Sequence, residues 1–409
     1  MLVLLRLAFR SLARHRRRTA LTLSAIAFGA AMVVVMWGIG EGIAGWLVRT
    51  AVSGRMGSVQ VHALGYVDTI DANPIATDFA EHDLDRVANV AGVLAVAPRI
   101  KFAGIVSTGA SSSMVQVDGI DPVADAAVCP ERYLGFAAGG PLTRDGVGRE
   151  IVVGTELAAS LGTKVGDTVT LMAGTRAGAQ NALDFTVVGI TSGGAFLESK
   201  RAALTRINDA RALLAMPERA HELAIATAPD LDADVVATSI RAALTAAAPN
   251  RFEVHTWKEV SPFMRDAVDR ITIILRGVSA VLFLVVVMGV ANTMLMSIFE
   301  RVREIGTLLA LGMKRRAVLT LCVIEAIVMG GLGGVVGGGL GSAIVLALAI
   351  NGIDFAPPGS SVDAVLYPVL TPTLVLGVGL AVFAGAVIAS FLPARRASRL
   401  DPVEALRSL

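Results

Sequence analysis

Four long apolar runs divide the chain. The first, Thr19 to Gly40, holds 22 residues without a charge, enough to cross a hydrocarbon core of about 30 Å as a helix. The second runs from Gly277 to Phe299, the third lies within Ala317 to Ile350, and the fourth extends from Thr371 to Leu392. Thr371-Pro372 supplies a cap and a first-turn proline to the fourth, and Pro393 marks its expected end. Beyond Glu41, Ile43, Leu47 and Ala51 recur every four residues, so the first helix is expected to continue as a stalk until Gly54 and Gly57 end it. Met264, Val268, Ile271 and Leu275 step by four, three and four, which predicts a second stalk running directly into the second span.

Between the stalks the period falls to two. Strands are expected at 58–62, 93–100, 114–120, 150–154, 167–172 and 184–190. Helices are expected at Glu81 to Val90, Thr155 to Leu161, Arg206 to Met216 and Asp232 to Ala247, the last opening with acidic residues. Segments 137–148 and 174–182 carry the Gly and Pro of exposed loops. Helices interrupt the strand runs, so at least two subdomains are expected. The fold class is an α-helical membrane protein with four transmembrane helices and a large extracytoplasmic mixed α/β domain inserted between helices 1 and 2.

Composition agrees, with 54% hydrophobic residues and a mean hydropathy of +0.67. The net charge of +2 matters less than where the cations lie. Arg6, Arg10, Arg14, Arg16, Arg17 and Arg18 precede the first span. Arg301, Arg303, Lys314, Arg315 and Arg316 separate the second from the third, and Arg395, Arg396, Arg399 and Arg407 follow the fourth. The loop 351–370 has only Asp354 and Asp363. The positive-inside rule then puts both termini in the cytoplasm of a multi-pass inner-membrane protein and the insert in the periplasm. The expected divisions are an amphipathic segment 1–18, spans 19–41 and 271–299 around the outer domain 42–270, a cytoplasmic helix 300–316, span 317–350, loop 351–370, span 371–392 and tail 393–409. A cleaved signal peptide would have a shorter apolar core than the first span, which reads as an uncleaved anchor. Arg clusters that hug membrane ends do not make the basic face of a nucleic-acid binder.

Chemistry is sparse. The P-loop spacing is absent, and "LGTKVGDT" (161–168) only shares its residue types. The run "GGLGGVVGGGLG" (330–341) lacks a βαβ setting; its Gly330/Gly334, Gly333/Gly337 and Gly337/Gly341 pairs instead suit close helix packing. His15, His62, His82, His221 and His255 are isolated, and no metal or hydrolytic constellation exists. Cys129 and Cys322 fall on opposite sides of the membrane and cannot pair; Cys129 reads as a buried thiol or an intermolecular partner, Cys322 as apolar filler. Asn292 can hydrogen-bond a neighbouring helix, and Glu325, with no second membrane acid, reads as a packing or interfacial contact rather than a proton relay.

Two motifs carry more. The segment 300–312 contains "ER-x-REIG-x-L-x-A-x-G", held by Glu300, Arg301, Arg303, Glu304, Ile305, Gly306, Leu308, Ala310 and Gly312. Ile298, Val302, Ile305 and Leu309 give it an apolar stripe suited to the inner leaflet. The tail "PARRASRLDPVEALR" is held by Pro393, Arg395, Arg396, Ala397, Arg399, Pro402, Ala405, Leu406 and Arg407. With the one-plus-three layout of spans, these motifs make the chain resemble the permease subunits of ABC transporters of the FtsX, MacB and lipoprotein-releasing (Lol-type) group.

The resemblance implies that 300–312 is a coupling helix seated on a separate, LolD-like ATPase subunit. ATP and Mg would bind there, with no cofactor and no catalytic site on this chain. It also implies pairing with a second or homologous permease and work with a periplasmic lipoprotein carrier or adaptor. The run "GSVQVHALGY" (57–66) resembles the LolC/LolE branch, so extraction of lipoproteins is the first expectation. The alternatives are MacB-like export of peptides, toxins or antibiotics, and signalling to an envelope partner. For lipoprotein cargo, an acyl shelter is expected between spans 1 and 2, lined by Met36, Trp37, Ile39, Ile43, Met264, Val268 and Ile271.

Overall fold

Helix α1 covers Arg16–Ala51 and passes into a π-helical turn, Val52–Met56. The chain returns through α7, Pro262–Glu300. Three further helices follow: α8 (Val302–Ala310), α9 (Arg315–Asn351) and α10 (Pro372–Ser398). The computed structural model describes residues 16–68, 75, 77–81, 86–191, 201–300, 302–311, 313–355 and 364–398. Contacts divide the chain into two units. One holds Met1–Ala44, Asp269–Asp354 and Val365–Leu409, and the other Gly45–Val268 with Phe355–Ala364.

In the first unit, α1, α7, α9 and α10 are each long and apolar enough to cross a membrane, by length and composition. Their shared core includes Ile26, Ala30, Val34, Val290, Met294, Ala326, Val382 and Ala386. The glycines of α9 form two stripes with different neighbours. A Cβ added at Gly333, Gly337 or Gly341 would lie 2.4–2.9 Å from Ile26, Ala27 or Ala31 and Val34 of α1. One at Gly330 would lie 2.5 Å from Ala386 of α10, and Gly334 and Gly338 also face α10 through Gly379 and Val375. The glycine run is thus a two-sided packing surface, as its spacing predicts.

The second unit contains β1 (Val59–Ala63), β2 (Phe79–Ala80), β3 (Val93–Ser107), β4 (Ser112–Ile120), α2 (Pro122–Val128), β5 (Phe136–Gly139), β6 (Glu150–Gly154) and α3 (Thr155–Leu161). After these come β7 (Thr168–Gly174), β8 (Gln180–Thr191), β9 (Ala202–Arg206), α4 (Ile207–Leu214), β10 (Arg219–Ala220), β11 (Glu222–Thr227), α5 (Ala233–Ala247), β12 (Phe252–Thr256) and α6 (Trp257–Val260). Strands β3, β4, β9, β6, β8 and β7 pair in that order, and β7 pairs back onto β3, closing a six-stranded ring. Alternate residues point inward, including Val169, Leu171 and Ala173 of β7 and Phe185 and Val187 of β8, where they meet α3 and α4. The first half of β3 instead pairs with β11, which continues through β1 to β12. That second lobe is covered by α5 through Val236, Ala237, Ile240 and Leu244.

Several expectations change. Pro393 does not end the fourth span, because α10 carries it as an interior residue and runs on to Ser398. Pro393 and Ala394 are buried there; removal of one N–H is compatible with a helix whose last turns pack against a neighbour. Gly54 does not stop the first stalk: the π turn passes through it, and Gly57, at φ +75°, makes the exit. Of the expected helix 81–90, residues 82–85 lie outside the described residues, and Glu81 and Val87–Asn89 are 3-10. Strand β5 lies in an expected loop, and β9, β11 and β12 were not expected. Most of segment 1–18 and residues 399–409 of the tail lie outside the described residues.

Candidate functional site

The end of the first stalk is a helix terminus, where carbonyls lack intrahelical donors. In the π turn those carbonyls are taken by side chains of the outer domain. Arg99 Nη1 of β3 donates to the Arg55 carbonyl at 2.5 Å, and Arg132 Nη2 donates to the same oxygen at 3.0 Å. Arg132 Nε reaches the Gly54 carbonyl at 3.3 Å, the Cys129 thiol the Val52 carbonyl at 3.4 Å, and Gln60 Nε2 the Met56 carbonyl at 2.8 Å. Cationic donors at a helix C-terminus also oppose its dipole. Gly57 then lets the chain pass against β11, since a Cβ there would sit 2.9 Å from the Ile225 carbonyl.

The donors are held in turn by buried acids. Arg99, fully buried, donates through Nε to Asp125 Oδ1 at 2.7 Å, through Nη1 to Glu222 Oε1 at 3.1 Å and through Nη2 to Cys129 Sγ at 3.1 Å. Lys101 Nζ reaches Glu222 Oε2 at 2.6 Å, and Arg132 pairs with Asp118 and Asp125 at 3.4 Å each. Burial alone would raise the Glu222 carboxyl; Lys101, the His62 hydrogen bond and Arg99 hold it well below the usual carboxylate range. Asp118 behaves likewise against Arg55 and Arg132. For Arg99, burial opposes the charge, while Asp125, Cys129 and Glu222 outweigh it and raise the guanidinium further. Four cations around three carboxylates therefore form a largely buried clamp on the helix end, in which Arg132 Nη1 and the Gln60 amide oxygen make no hydrogen bond among the described residues. Breaking one member of such a buried pair costs about 3–5 kcal/mol.

The "GSVQVHALGY" run belongs to this clamp. Besides Gly57 and Gln60, it supplies His62, which stacks on Tyr66 at 4.7 Å and 8°. His62 Nε2 lies 3.5 Å from Glu222. Burial depresses the imidazole pKa of His62 and, on the far side of Tyr66, of His221. Cys129 is buried among these groups, so the reading of it as an intermolecular partner falls. The clamp was missed in the sequence. The signal lay in β3, where alternation sets Arg99 on the face of Ala95 and Ala97, whose small side chains leave room for a guanidinium.

In the first unit, α8 lies on the apolar stripe expected of it. Ile305 is buried with Ile298 of α7, Val318 and Cys322 of α9 and Ala394 of α10, and Leu309 packs against them. Cys322 is buried in this apolar cluster. Gly306 is buried, whereas Glu300, Arg303 and Ala310 are exposed. Glu304 and Leu308 lie within α8, Arg301 and Gly312 outside the described residues. Of the tail motif, Arg395 is exposed, Arg396 and Ala397 lie in α10, and Arg399, Pro402, Ala405, Leu406 and Arg407 are outside the described residues. Glu325 is buried on α9.

An apolar cavity of about 360 Å³ opens between α1, α7 and α10, lined by residues such as Val33, Phe283, Val286, Leu374 and Val378. Trp37 borders it and donates from Nε1 to Ser279 Oγ at 2.6 Å. Of the seven shelter candidates only Trp37 lines this cavity. Met36, Ile39, Ile43, Met264, Val268 and Ile271 are half-buried elsewhere along α1 and α7.

Comparison with known proteins follows the same division. The profile of the MacB-like periplasmic core domain matches residues 19–243, and that of the FtsX-like permease C-terminal region matches residues 276–402. A macrolide export ATP-binding/permease protein MacB of Hyphomonas neptunium is 30% identical over 98% of this chain and 60% of its own length. The MacB of Rhodospirillum rubrum is 29% identical over 98% of this chain and 60% of its own. The pyoverdine export ATP-binding/permease protein PvdT of Pseudomonas entomophila is 36% identical over 34% of this chain and 19% of its own. The chain thus spans about 60% of the length of the curated relatives it matches from end to end. The crystal structure of the periplasmic region of MacB from Actinobacillus actinomycetemcomitans aligns with 53% of this chain and 94% of its own, at 14% identity and a TM-score of 0.38.

Proposed function

Because the chain belongs to the FtsX/MacB-type family of ABC transporter permeases, we propose that it is the mechanical subunit of an ATP-driven exporter. Motion enters at α8 on the cytoplasmic side, travels along α1 and α7, and reaches the outer domain. The nucleotide is hydrolysed by an ATPase partner bearing ATP and Mg; the relatives' names join an ATP-binding to a permease function, and residues 1–409 carry no P-loop spacing. The observation that carries the reading is the clamp. Helix α1 runs unbroken from Arg16 to Ala51, and its π-turn extension is gripped at the carbonyls of Val52, Gly54, Arg55 and Met56 by outer-domain donors. A displacement of that helix is therefore delivered to β3, α2 and β11 rather than dissipated in a loop.

The cargo follows the relatives. MacB and PvdT are exporters of a macrolide and of pyoverdine by name, which favours export of an amphipathic small molecule or peptide, with an adaptor, over lipoprotein release. Extraction of lipidated protein retains one support, the apolar cavity beside Trp37, where a hydrocarbon chain would meet almost no polar atom. Tagged full-length chain purified from native membranes provides the test. A nucleotide-binding subunit should co-purify, with vanadate-sensitive ATPase activity in the complex and none in the chain alone. Turnover by the chain alone overturns the proposal. Bound lipidated protein in that complex selects the second cargo, and efflux without it the first.

A further inference from the structure

Beside the stalk clamp, the outer domain has a small polar pocket of about 60 Å³, lined by Arg55 of the π turn, Gln116 and Asp118 of β4, Arg132, Thr191 of β8 and Ala202 of β9. One water needs about 10–15 Å³ of such space, so only a few non-hydrogen atoms fit. The wall sets two guanidiniums against one carboxylate, a surplus of one positive charge. Asp118 serves both cations at long range, 3.9 Å from Arg55 Nε and 3.4 Å from Arg132 Nη2, whereas the Arg99 and Lys101 pairs close to 2.6–3.1 Å. Desolvation depresses the Arg55 guanidinium; Asp118 opposes this, and Arg132 and Arg99 add to it. Arg55 has contacts besides these, and the open capacity belongs to Arg132. Its side chain is 7% exposed, and its Nη1 makes no hydrogen bond among the described residues, although Asp125 lies 3.4 Å away. A buried charged donor without an acceptor is destabilising. The exposed Gln116 amide also makes no hydrogen bond among the described residues. A water would satisfy the donors and leave the surplus charge, and a cation would enlarge it.

We propose that this pocket binds a compact monovalent anion, chloride or a single carboxylate group, held by Arg55 and Arg132 with the Gln116 amide donating at the mouth. Guanidinium forks suit a carboxylate in particular. Asp118 shares the wall, so a dianion such as sulfate would turn the positive surplus into a negative one. The consequence is mechanical. Among the described residues the side-chain donors to the π-turn carbonyls come from β1, β3 and residues 129–132. The pocket wall adds β6, β8 and β9 through Val152, Thr191 and Ala202. An anion there touches the stalk end and the far strands of the ring at once, so the stiffness of this joint depends on anion concentration. The site goes beyond the export reading, since it requires neither an ATPase nor a cargo.

The test uses the full chain in detergent near neutral pH, with ionic strength held constant by a bulky sulfonate. Replacing the sulfonate with sodium chloride or sodium formate should raise hydrogen-exchange protection of residues 52–57 saturably, about tenfold at ten times the half-saturating concentration. Gln116→Leu should raise that concentration about fivefold, the worth of one hydrogen bond. Ala202→Leu fills the pocket with every charge in place, and Arg132→Gln removes the surplus charge; both should abolish the response. Gln116 is exposed and Ala202 half-buried, so those two variants decide the matter should Arg132→Gln fail to fold. A response to chloride assigns the site to a solvent ion, and a response to formate alone assigns it to a carboxylate group; either supports the proposal. Equal protection in chloride, formate and sulfonate for the wild type, or a response that Ala202→Leu leaves intact, overturns it.

Discussion

Arg99 donates to the main-chain carbonyl of Arg55 at 2.5 Å, tying the middle of the longest strand in the outer domain to the last turn of the first stalk. The bond is charge-assisted and partly buried, and the same guanidinium is fixed by Asp125 and Glu222. A contact of that kind gives position at the expense of adaptability.

Arg99→Met should therefore destabilise the outer domain by about 3–5 kcal/mol, since Asp125 and Glu222 lose a buried countercharge. Arg99→Lys should fall between wild type and Arg99→Met, because an ammonium cannot span three acceptors in a plane. Denaturant midpoints of the full chain in detergent, read by proteolysis of the outer domain, measure this. An unchanged midpoint for Arg99→Met contradicts the clamp.

Acid should act on the same place in two stages. His62 and His221 are buried with pKa values below 6.5, so beneath pH 6.5 the unfolded chain binds protons that the folded chain refuses. Stability then falls by about 1.4 kcal/mol per pH unit for each histidine still neutral in the fold. Glu222 and Asp118 are depressed, so their contribution is complete above about pH 4.5 and is lost as pH falls toward their folded values. Outer-domain melting temperature from pH 8 to 4 should decline first below 6.5 and more steeply below 4.5; a flat profile from 6.5 to 5 rules out the histidine stage.

Alanine at the glycines of α9 should sort by direction. At Gly337 a Cβ would lie 2.4 Å from the Ala27 carbonyl, so Gly337→Ala forces α1 and α9 apart and lowers thermal stability. At Gly331 and Gly339 nothing lies within 4 Å. Alanine there should be neutral or gain up to about 1 kcal/mol of helix propensity. Thermal unfolding of the three variants in detergent separates them, and equal losses would refute the two-sided stripe.

In α8, Ile305→Ala should cost about 2–5 kcal/mol of local packing against Ile298, Val318 and Cys322. Arg303→Glu changes an exposed position and should leave folding intact while weakening retention of the ATPase. Pull-down yield against hydrogen-exchange protection of 298–323 distinguishes the two.

What could be read from the chain was local. The stalks, α3 at Thr155–Leu161 and the packing use of the glycines follow from residue spacing, because helix periods and glycine stripes are written within a few turns. Strand β11 was not legible: "ELAIAT" is buried from Glu222 to Ile225 without alternation and resembles any short apolar run. Ring closure depends on β4 with β9 and β3 with β7, pairings far apart in sequence. Nothing local marks Arg99 and Glu222 as partners, since only tertiary structure brings residues 123 positions apart within 3.1 Å. Pro393 misled because propensity is a statement about isolated helices.

The closed circuit of β3, β4, β9, β6, β8 and β7 has one more implication, for what can adhere to the outer domain. A partner that binds by adding its own strand needs a row of unpaired amides. Among the described residues the free borders of the main sheet are β12 on one lobe and β5 on the other. On the main sheet, addition of a whole strand at a terminal strand is thereby directed to those two rims.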